Sequence, residues 1–380
     1  MEIRKKPPRL AFYAPLKPPD HPIPSGDRQM ARMLLSALNK AGYEAFLASR
    51  YISYSKRHGL EHLAAKREGA QAEARRLLQL WEIEGGAPQG WFCYHPYDKS
   101  PDWLGMEICT ALDIPMITAE PCKTGQGLNG EWLPWRAEAQ RGIRMASMNI
   151  VMTHSDLDYL EGFIASDHIA WMEPFIDADL LEVTPLAHDP WEGHAGVRLL
   201  TVGMMRPGAK LDSYAVLSQA LALVTDLDWH LVIAGGGPGE EQVRAMMQPL
   251  GSERVTFAGE LKPGEAQHLM READLLAWPG CREAYGMVYL EAAHYGTPSI
   301  GLDNMGVPLV VRHDRTGLLA TPADVETYAS CLRRAISDDD LRNRLSLGAS
   351  DHAANRRSAD YAASRMREIL APILHAGPAA

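Results

Sequence analysis

Short apolar runs of β-forming residues alternate with segments whose apolar positions recur every three or four residues, along almost the whole chain. Such alternation predicts an α/β protein with parallel sheets covered by helices on both faces. Leu10–Leu16 reads as a first strand, and a Pro/Gly-rich turn leads from it to a helix over Asp27–Lys40, where Met30, Leu34, Ala37 and Leu38 share one face. Gly42 stops that helix. Glu44–Ala48 is the next strand, residues 60–82 form a polar helix, and Trp91–Tyr94 is a strand ending at His95-Pro96. Further strands are expected at Ile114–Thr118, Asn149–Thr153 and Ile169–Met172. Together they predict one doubly wound domain.

A Pro/His/Asp/Gly-containing stretch at 184–196 reads as a linker. A second alternation follows: strand Val197–Val202, helix Asp212–Val224, strand His230–Ala234, a helix over 239–248, strand Val255–Ala258, a helix over 264–271 and strand Asp274–Ala277. Residues 357–372 form a last helical segment, with Tyr361, Ala362, Met366, Ile369 and Leu370 in register. The expected architecture is an N-terminal Rossmann-like domain over residues 1–185 and a C-terminal one over 186–356, facing each other across a cleft.

The 380 residues include 46% apolar and 23% charged positions, which excludes a disordered tail, a coiled coil or a collagen-like chain. No run approaches the roughly 18 apolar residues of a spanning helix. Arg4, Lys5 and Lys6 precede an apolar run, but Pro15 interrupts it and no small-residue cleavage site follows, so a strand is expected rather than a leader. Five cysteines without a CxxC pair indicate neither a disulfide framework nor a zinc site, and a reducing cytoplasm is the expected compartment.

A net charge of −10 argues against nucleic acid as a partner. The balance is uneven, with 20 Lys and Arg against 16 Asp and Glu in residues 1–150. Two readings of that basic half stay open. Arg50, Lys56, Arg57, Lys66, Arg67, Arg75 and Arg76 could meet an anionic surface, such as a membrane, or an anionic acceptor, or they form a solvated helix face interspersed with Glu61, Glu68 and Glu73.

The segment Pro279–Pro298 follows a strand and opens a helix. The amides of Tyr285, Gly286, Met287 and Val288 could receive a diphosphate, aided by the helix dipole. Glu283 precedes that terminus and Glu291 lies inside the helix. A carboxylate beside phosphate is unfavourable unless it has another task, and gripping vicinal sugar hydroxyls is such a task. The plainer alternative is a pair of helix-terminal charges.

The pattern Glu283-x7-Glu291, with Gly286 inside it and Ala-Ala-His-Tyr-Gly-Thr-Pro after it, resembles the signature of retaining glycosyltransferase family 4, of GT-B fold. Leu199–Gly203 with Arg206 and Lys210, Leu231–Pro238 with Gly235 at the strand end, Val255–Gly259, Ala273-Asp274, Thr316–Leu319 and Glu173–Asp177 fall in that family's order. The resemblance implies that Glu283 contacts the donor sugar, Glu291 the nucleotide ribose, and Arg206 and Lys210 the leaving diphosphate, where fixed cations act mainly in the transition state. It also implies that Gly26, in the turn Pro24–Asp27, and Gly235 approach the donor, and that His95 lies near donor sugar and acceptor. Ser25 or Asp27 could equally be a simple helix cap, and a lone histidine is as often structural. The terminal helix is expected to return to the first domain.

Two stretches depart from the family. Asn304–Leu309 replaces a Gly-Gly-x-x-Glu run, and the Arg206–Lys210 spacing is one residue short. Glu120–Gly127 and His154-Ser155 could line an acceptor region. Asp156-Leu-Asp158, Asp177-Ala-Asp179 and Asp226-Leu-Asp228 imitate a DxD metal motif without its context, so neither metal nor other cofactor is expected. The glycine run after strand His230–Ala234 lacks G-x-G-x-x-G spacing, which argues against a nicotinamide or flavin enzyme. The resemblance implies a cytoplasmic, metal-independent, retaining transferase moving sugar from a nucleoside diphosphate sugar to a hydroxyl acceptor (glycan, glycolipid or small molecule). An epimerase or phosphorylase of the same fold, and a non-catalytic sugar-nucleotide-binding subunit, are the alternatives.

Overall fold

The computed structural model describes residues 6–23, 25–123, 130–322 and 324–374. Pro24 and the Thr124–Gly127 part of the Glu120–Gly127 stretch lie outside them.

The chain divides into two compact units, Met1–Glu173 with Ala359–Ala380, and Pro174–Ser358. Unit 1 runs β1 (Arg9–Tyr13), α1 (Gly26–Lys40), β2 (Glu44–Leu47), α2 (Leu60–Glu84), β3 (Gly90–Tyr94), α3 (Trp103–Leu112), β4 (Met116–Ala119), α4 (Leu133–Met145), β5 (Met148–Val151), α5 (His154–Glu161) and β6 (Ile169–Trp171). Its six parallel strands are ordered β2-β1-β3-β4-β5-β6. Every residue of β3 is buried, as expected of a central parallel strand covered on both faces.

Unit 2 runs β7 (Val197–Val202), α6 (Ala209–Ala222), β8 (Trp229–Ala234), α7 (Glu240–Met247), β9 (Val255–Gly259), α8 (Pro263–Glu272), β10 (Leu275–Ala277), α9 (Met287–His294), β11 (Ser299–Leu302), α10 (Val307–Val310), β12 (Gly317–Ala320), α11 (Val325–Ser337) and α12 (Asp339–Arg356). Its parallel order is β12-β11-β10-β7-β8-β9. Helix α13 (Ala359–Leu374) then returns to unit 1, packs along α1, and ties to it where Arg367 Nε donates to the Ala41 carbonyl at 3.1 Å.

The units part between Glu173 and Pro174, earlier than the boundary expected at 185/186, and the chain leaves unit 2 after Ser358 rather than 356. Backbone pairing gives the reason. Ile176 N donates to the Arg357 carbonyl at 2.6 Å, and Thr184 N donates to the Gly264 carbonyl at 2.9 Å, so residues 174–184 already belong to unit 2. The expected linker at 184–196 is likewise anchored there, since the buried Trp191 donates its indole N–H to the His230 carbonyl at 3.2 Å.

Four of the seven basic residues singled out in the first half are engaged within unit 1. Arg76 pairs with Glu73 at 2.7 Å, Arg50 with Asp20 at 2.6 Å and Arg67 with Glu138 at 3.7 Å, while Lys66 donates to the Ile52 carbonyl at 2.7 Å. Among the described residues no helix is long and apolar enough to cross a membrane.

Candidate functional site

Open parallel sheets bind ligands outside the carboxyl ends of their strands, where the strand order reverses direction. In unit 2 that point lies between β7 and β10, because the chain winds from β7 outward through β8 and β9, then back through β10 to β11 and β12. Thr201 Oγ1 fastens the two strands by donating to the Ala277 carbonyl at 2.6 Å. Gly203–Arg206 emerges from the end of β7, and Trp278–Glu283 from the end of β10.

Lys210 sits in the first turn of α6 and is ion-paired with Glu283 Oε1. The Trp278 indole N–H donates to the same oxygen at 3.2 Å, and its ring lies 5.2 Å from the Lys210 ammonium. Arg206 is exposed and, among the described residues, has no hydrogen bond or ion pair. The loop itself is held by its backbone: Ser213 Oγ accepts from Cys281 N at 2.9 Å, and Tyr289 OH donates to the Trp278 carbonyl at 2.8 Å.

Helix α9 starts at Met287, so its first-turn amides belong to Met287 and Val288, while the buried Tyr285 lies in the bend ahead of it. Among the described residues no side chain hydrogen-bonds to that terminus. Gly286 caps it at φ +75°, a conformation that favours glycine, and a Cβ there would stand 2.7 Å from the Tyr289 ring. A short helix whose first amides meet no side chain offers donors and a positive dipole end to an anion.

Glu291 lies one turn inside α9, half-buried, with Oε2 accepting from Gln267 Nε2 at 3.1 Å. Burial pushes its carboxyl above the usual range, and the Gln267 hydrogen bond opposes that. Gly235 has a packing task, because a Cβ would overlap the Gly203 carbonyl. The glycine run and the end of β7 lie backbone to backbone, with Met205 N donating to the Gly236 carbonyl at 2.8 Å.

The departing Asn304–Leu309 stretch supports the β10 loop through its backbone. Asn304 Nδ2 donates to the Gly280 carbonyl at 3.4 Å and Gly306 N to the Glu283 carbonyl at 3.3 Å. Met305 is exposed there with a left-handed backbone, φ +45°.

In unit 1 the order reverses between β1 and β3. Ser25, after β1, is the N-cap of α1 and accepts from Arg28 N at 3.2 Å. Gly26 opens the helix with nothing within 4 Å of where a Cβ would stand. His95, after β3, has φ +59°, and Glu120, after β4, has φ +55°. His95 Nδ1 lies 3.8 Å from Glu120 Oε2 and its Nε2 3.9 Å from Cys122 Sγ, with the Tyr97 ring 5.1 Å away. Burial pushes the His95 imidazole below its usual value, against the opposing charges of Asp27 and Asp156. Asp156 is pushed up to about 6 by burial and then by Glu120, despite accepting from Thr153 Oγ1 at 2.6 Å.

Non-glycine residues with positive φ often mark strained functional backbone. Six occur among the described residues, and four of them, His95, Glu120, Arg282 and Met305, stand just beyond the carboxyl ends of strands. The residues expected from sequence therefore gather as two sets: Arg206, Lys210, Glu283, Glu291, Gly235, Tyr285, Gly286, Met287 and Val288 in unit 2, and Gly26 and His95 in unit 1. Sequence reasoning misses Trp278 and Gln267 beside the unit 2 glutamates and treats Asp156 only as part of a chance metal-motif match, whereas Glu120 heads a stretch it places near the acceptor. Trp278 was open to discovery, since a polar-tipped aromatic directly after a buried strand and before Pro-Gly stands at the end where ligands bind.

The family model described as "Glycosyl transferases group 1" matches residues 201–351. A D-inositol 3-phosphate glycosyltransferase of Corynebacterium jeikeium is 30% identical over 258 residues, 63% of this chain and 61% of that protein. The chain thus matches about three fifths of that relative's length. Among solved structures, a sucrose-phosphate synthase from Thermosynechococcus elongatus aligns with TM-score 0.72 at 17% identity, covering 97% of this chain and 100% of the other. Anabaena HepE in complex with UDP aligns with TM-score 0.69 at 15% identity, covering 96% and 100%. Both units and the order of their strands are those of the GT-B fold, and residues 201–351 are similar to the group 1 glycosyl transferases.

Proposed function

We propose that this chain is a retaining, metal-independent glycosyltransferase that moves sugar from a nucleoside diphosphate sugar to a hydroxyl acceptor. The observation that carries the reading is the α9 terminus, free of side-chain caps among the described residues, beside the β7–β10 switch point, with Glu283 before it, Glu291 within it and exposed Arg206 at the β7 end.

In this reading the amides of Met287 and Val288 hold the diphosphate, Glu291 grips the ribose diol and Glu283 the sugar hydroxyls. Departure of the diphosphate builds negative charge on its bridging oxygen, and Arg206 with Lys210 neutralises that charge without a metal. A uridine nucleotide is the first donor to try, since HepE is described in complex with UDP and with UDP-glucose.

Unit 1 supplies the acceptor side. His95 is neutral near pH 7 because burial holds its pKa down, which leaves a ring nitrogen able to accept from a sugar hydroxyl. Asp27, Glu120 and Asp156 surround it with negative charge. That charge disfavours a phosphorylated acceptor such as the name of the corynebacterial relative implies, and favours a neutral or amine-bearing polyol.

The test is nucleotide release from UDP-, GDP- and ADP-sugars with neutral, amino and phosphorylated polyols, followed by anomeric analysis of the product. Transfer to a neutral or amino acceptor with the donor's anomeric configuration supports the reading. Donor consumption without a glycosylated product, or an inverted product, refutes it.

A further inference from the structure

We propose that Gln267 is a positioning residue for Glu291, holding that carboxylate ionised and aimed for a ribose diol; the role rests on the donor reading above. Gln267 lies on α8, which packs against α9, and its side chain is buried. Its Nε2 donates to Glu291 Oε2 at 3.1 Å, while its own Oε1 is buried without a hydrogen-bond partner. A buried amide that leaves its acceptor unsatisfied is a cost to folding, and the bond to Glu291 is what that cost secures.

The surroundings make this bond decisive. Burial favours the protonated form of Glu291, and the Gln267 N–H is the interaction that opposes it. Tyr295, just past the end of α9, lies within the fields of Glu291 and of Arg271 on α8, and His294 is half-buried beside it. Arg271 is engaged with Glu272 and His268. Helix α12 meets α9 through Ala349 and Ala353 against Ala293. No cation among these neighbours pairs with Glu291. A diol donates two hydrogen bonds, which an ionised carboxylate accepts on both oxygens and a protonated one does not.

The experiment is calorimetric titration of the full chain with UDP between pH 6 and 9, comparing wild type, Gln267→Leu, Gln267→Glu and Glu291→Gln at each pH so that titration of UDP itself cancels. Gln267→Leu is expected to weaken UDP most at the acid end of that range and to recover toward wild type as pH rises. Gln267→Glu, which sets a second carboxylate beside the first, is expected to move the recovery to still higher pH. In Glu291→Gln the pH-dependent difference from wild type is expected to vanish. A lowered melting temperature in Gln267→Leu with an unmoved pH profile would show a merely structural role and overturn the inference, leaving the donor reading intact. If wild type binds none of UDP, GDP or ADP, both fall.

Discussion

The ammonium of Lys210 is paired with the carboxylate of Glu283, against the indole of Trp278. One residue comes from the first turn of α6 and the other from the loop after β10, so the pair closes the crevice where the strand order reverses. In the proposed reaction the two charges serve different parts of the donor. An incoming diphosphate takes Lys210 and leaves Glu283 to the sugar hydroxyls.

That exchange makes the two side chains energetically dependent. A double-mutant cycle of Lys210→Ala and Glu283→Gln, read as unfolding free energy without ligand, should give a coupling of about 0.5–3 kcal/mol. With UDP bound the coupling should shrink, because phosphate has replaced the partner. Coupling that is equal with and without UDP contradicts the exchange.

Arg206 is exposed and has no hydrogen-bond or ion-pair partner among the described residues, so Arg206→Ala should leave the melting temperature unchanged. Turnover should fall by about 10²–10³-fold, as for loss of one transition-state charge contact, with UDP affinity changed far less. Unchanged kcat removes Arg206 from the chemistry.

Gly235 is a structural prediction. Its φ is +144°, and a Cβ would collide with the Gly203 carbonyl, which is backbone and cannot swing aside. Gly235→Ala should cost about 2 kcal/mol or more in denaturant unfolding. A variant as stable as wild type would mean that β7 and the glycine run are not packed backbone to backbone.

Unit 1 carries two carboxylic acids whose pKa values are pushed up to about 6, Asp102 by burial and Asp156 by burial and then Glu120. Both exceed the value of about 3.9 for an unfolded chain, so the native state binds more protons in that interval. Their contribution to stability is complete below about pH 4 and is lost as pH rises through 6. Asp102 accepts from Trp91 Nε1 at 2.8 Å and Gly105 N at 2.7 Å, and Asp102→Asn should flatten part of that slope. Urea midpoints at pH 4, 5, 6 and 7 measure it; an unaltered slope in the variant refutes the assignment.

The alternation of strands and helices was legible because β3 is an unbroken apolar run, β8 carries the apolar run Leu231–Ala234, and α1 has a clear apolar face. Other elements gave no such signal. Helix α3 buries Trp103, Leu104, Met106, Ile108 and Cys109 around its circumference, so it shows no amphipathic period. Helix α12 meets its neighbours through Leu341, Leu345, Ala349 and Ala353, a stripe half made of alanine and easily read as surface. The loop motif around Glu283 and Glu291 was legible because the chemistry lies in contiguous sequence. Gln267 was not, because its place beside Glu291 depends on which helix the fold packs against α9.

The central claim is that the start of α9 receives the donor's diphosphate. A crystal structure of the chain soaked with UDP tests it directly. The account predicts phosphate oxygens within hydrogen-bond distance of the Met287 and Val288 amides and ribose hydroxyls on Glu291. UDP bound elsewhere, with that helix terminus in contact only with solvent, would contradict it.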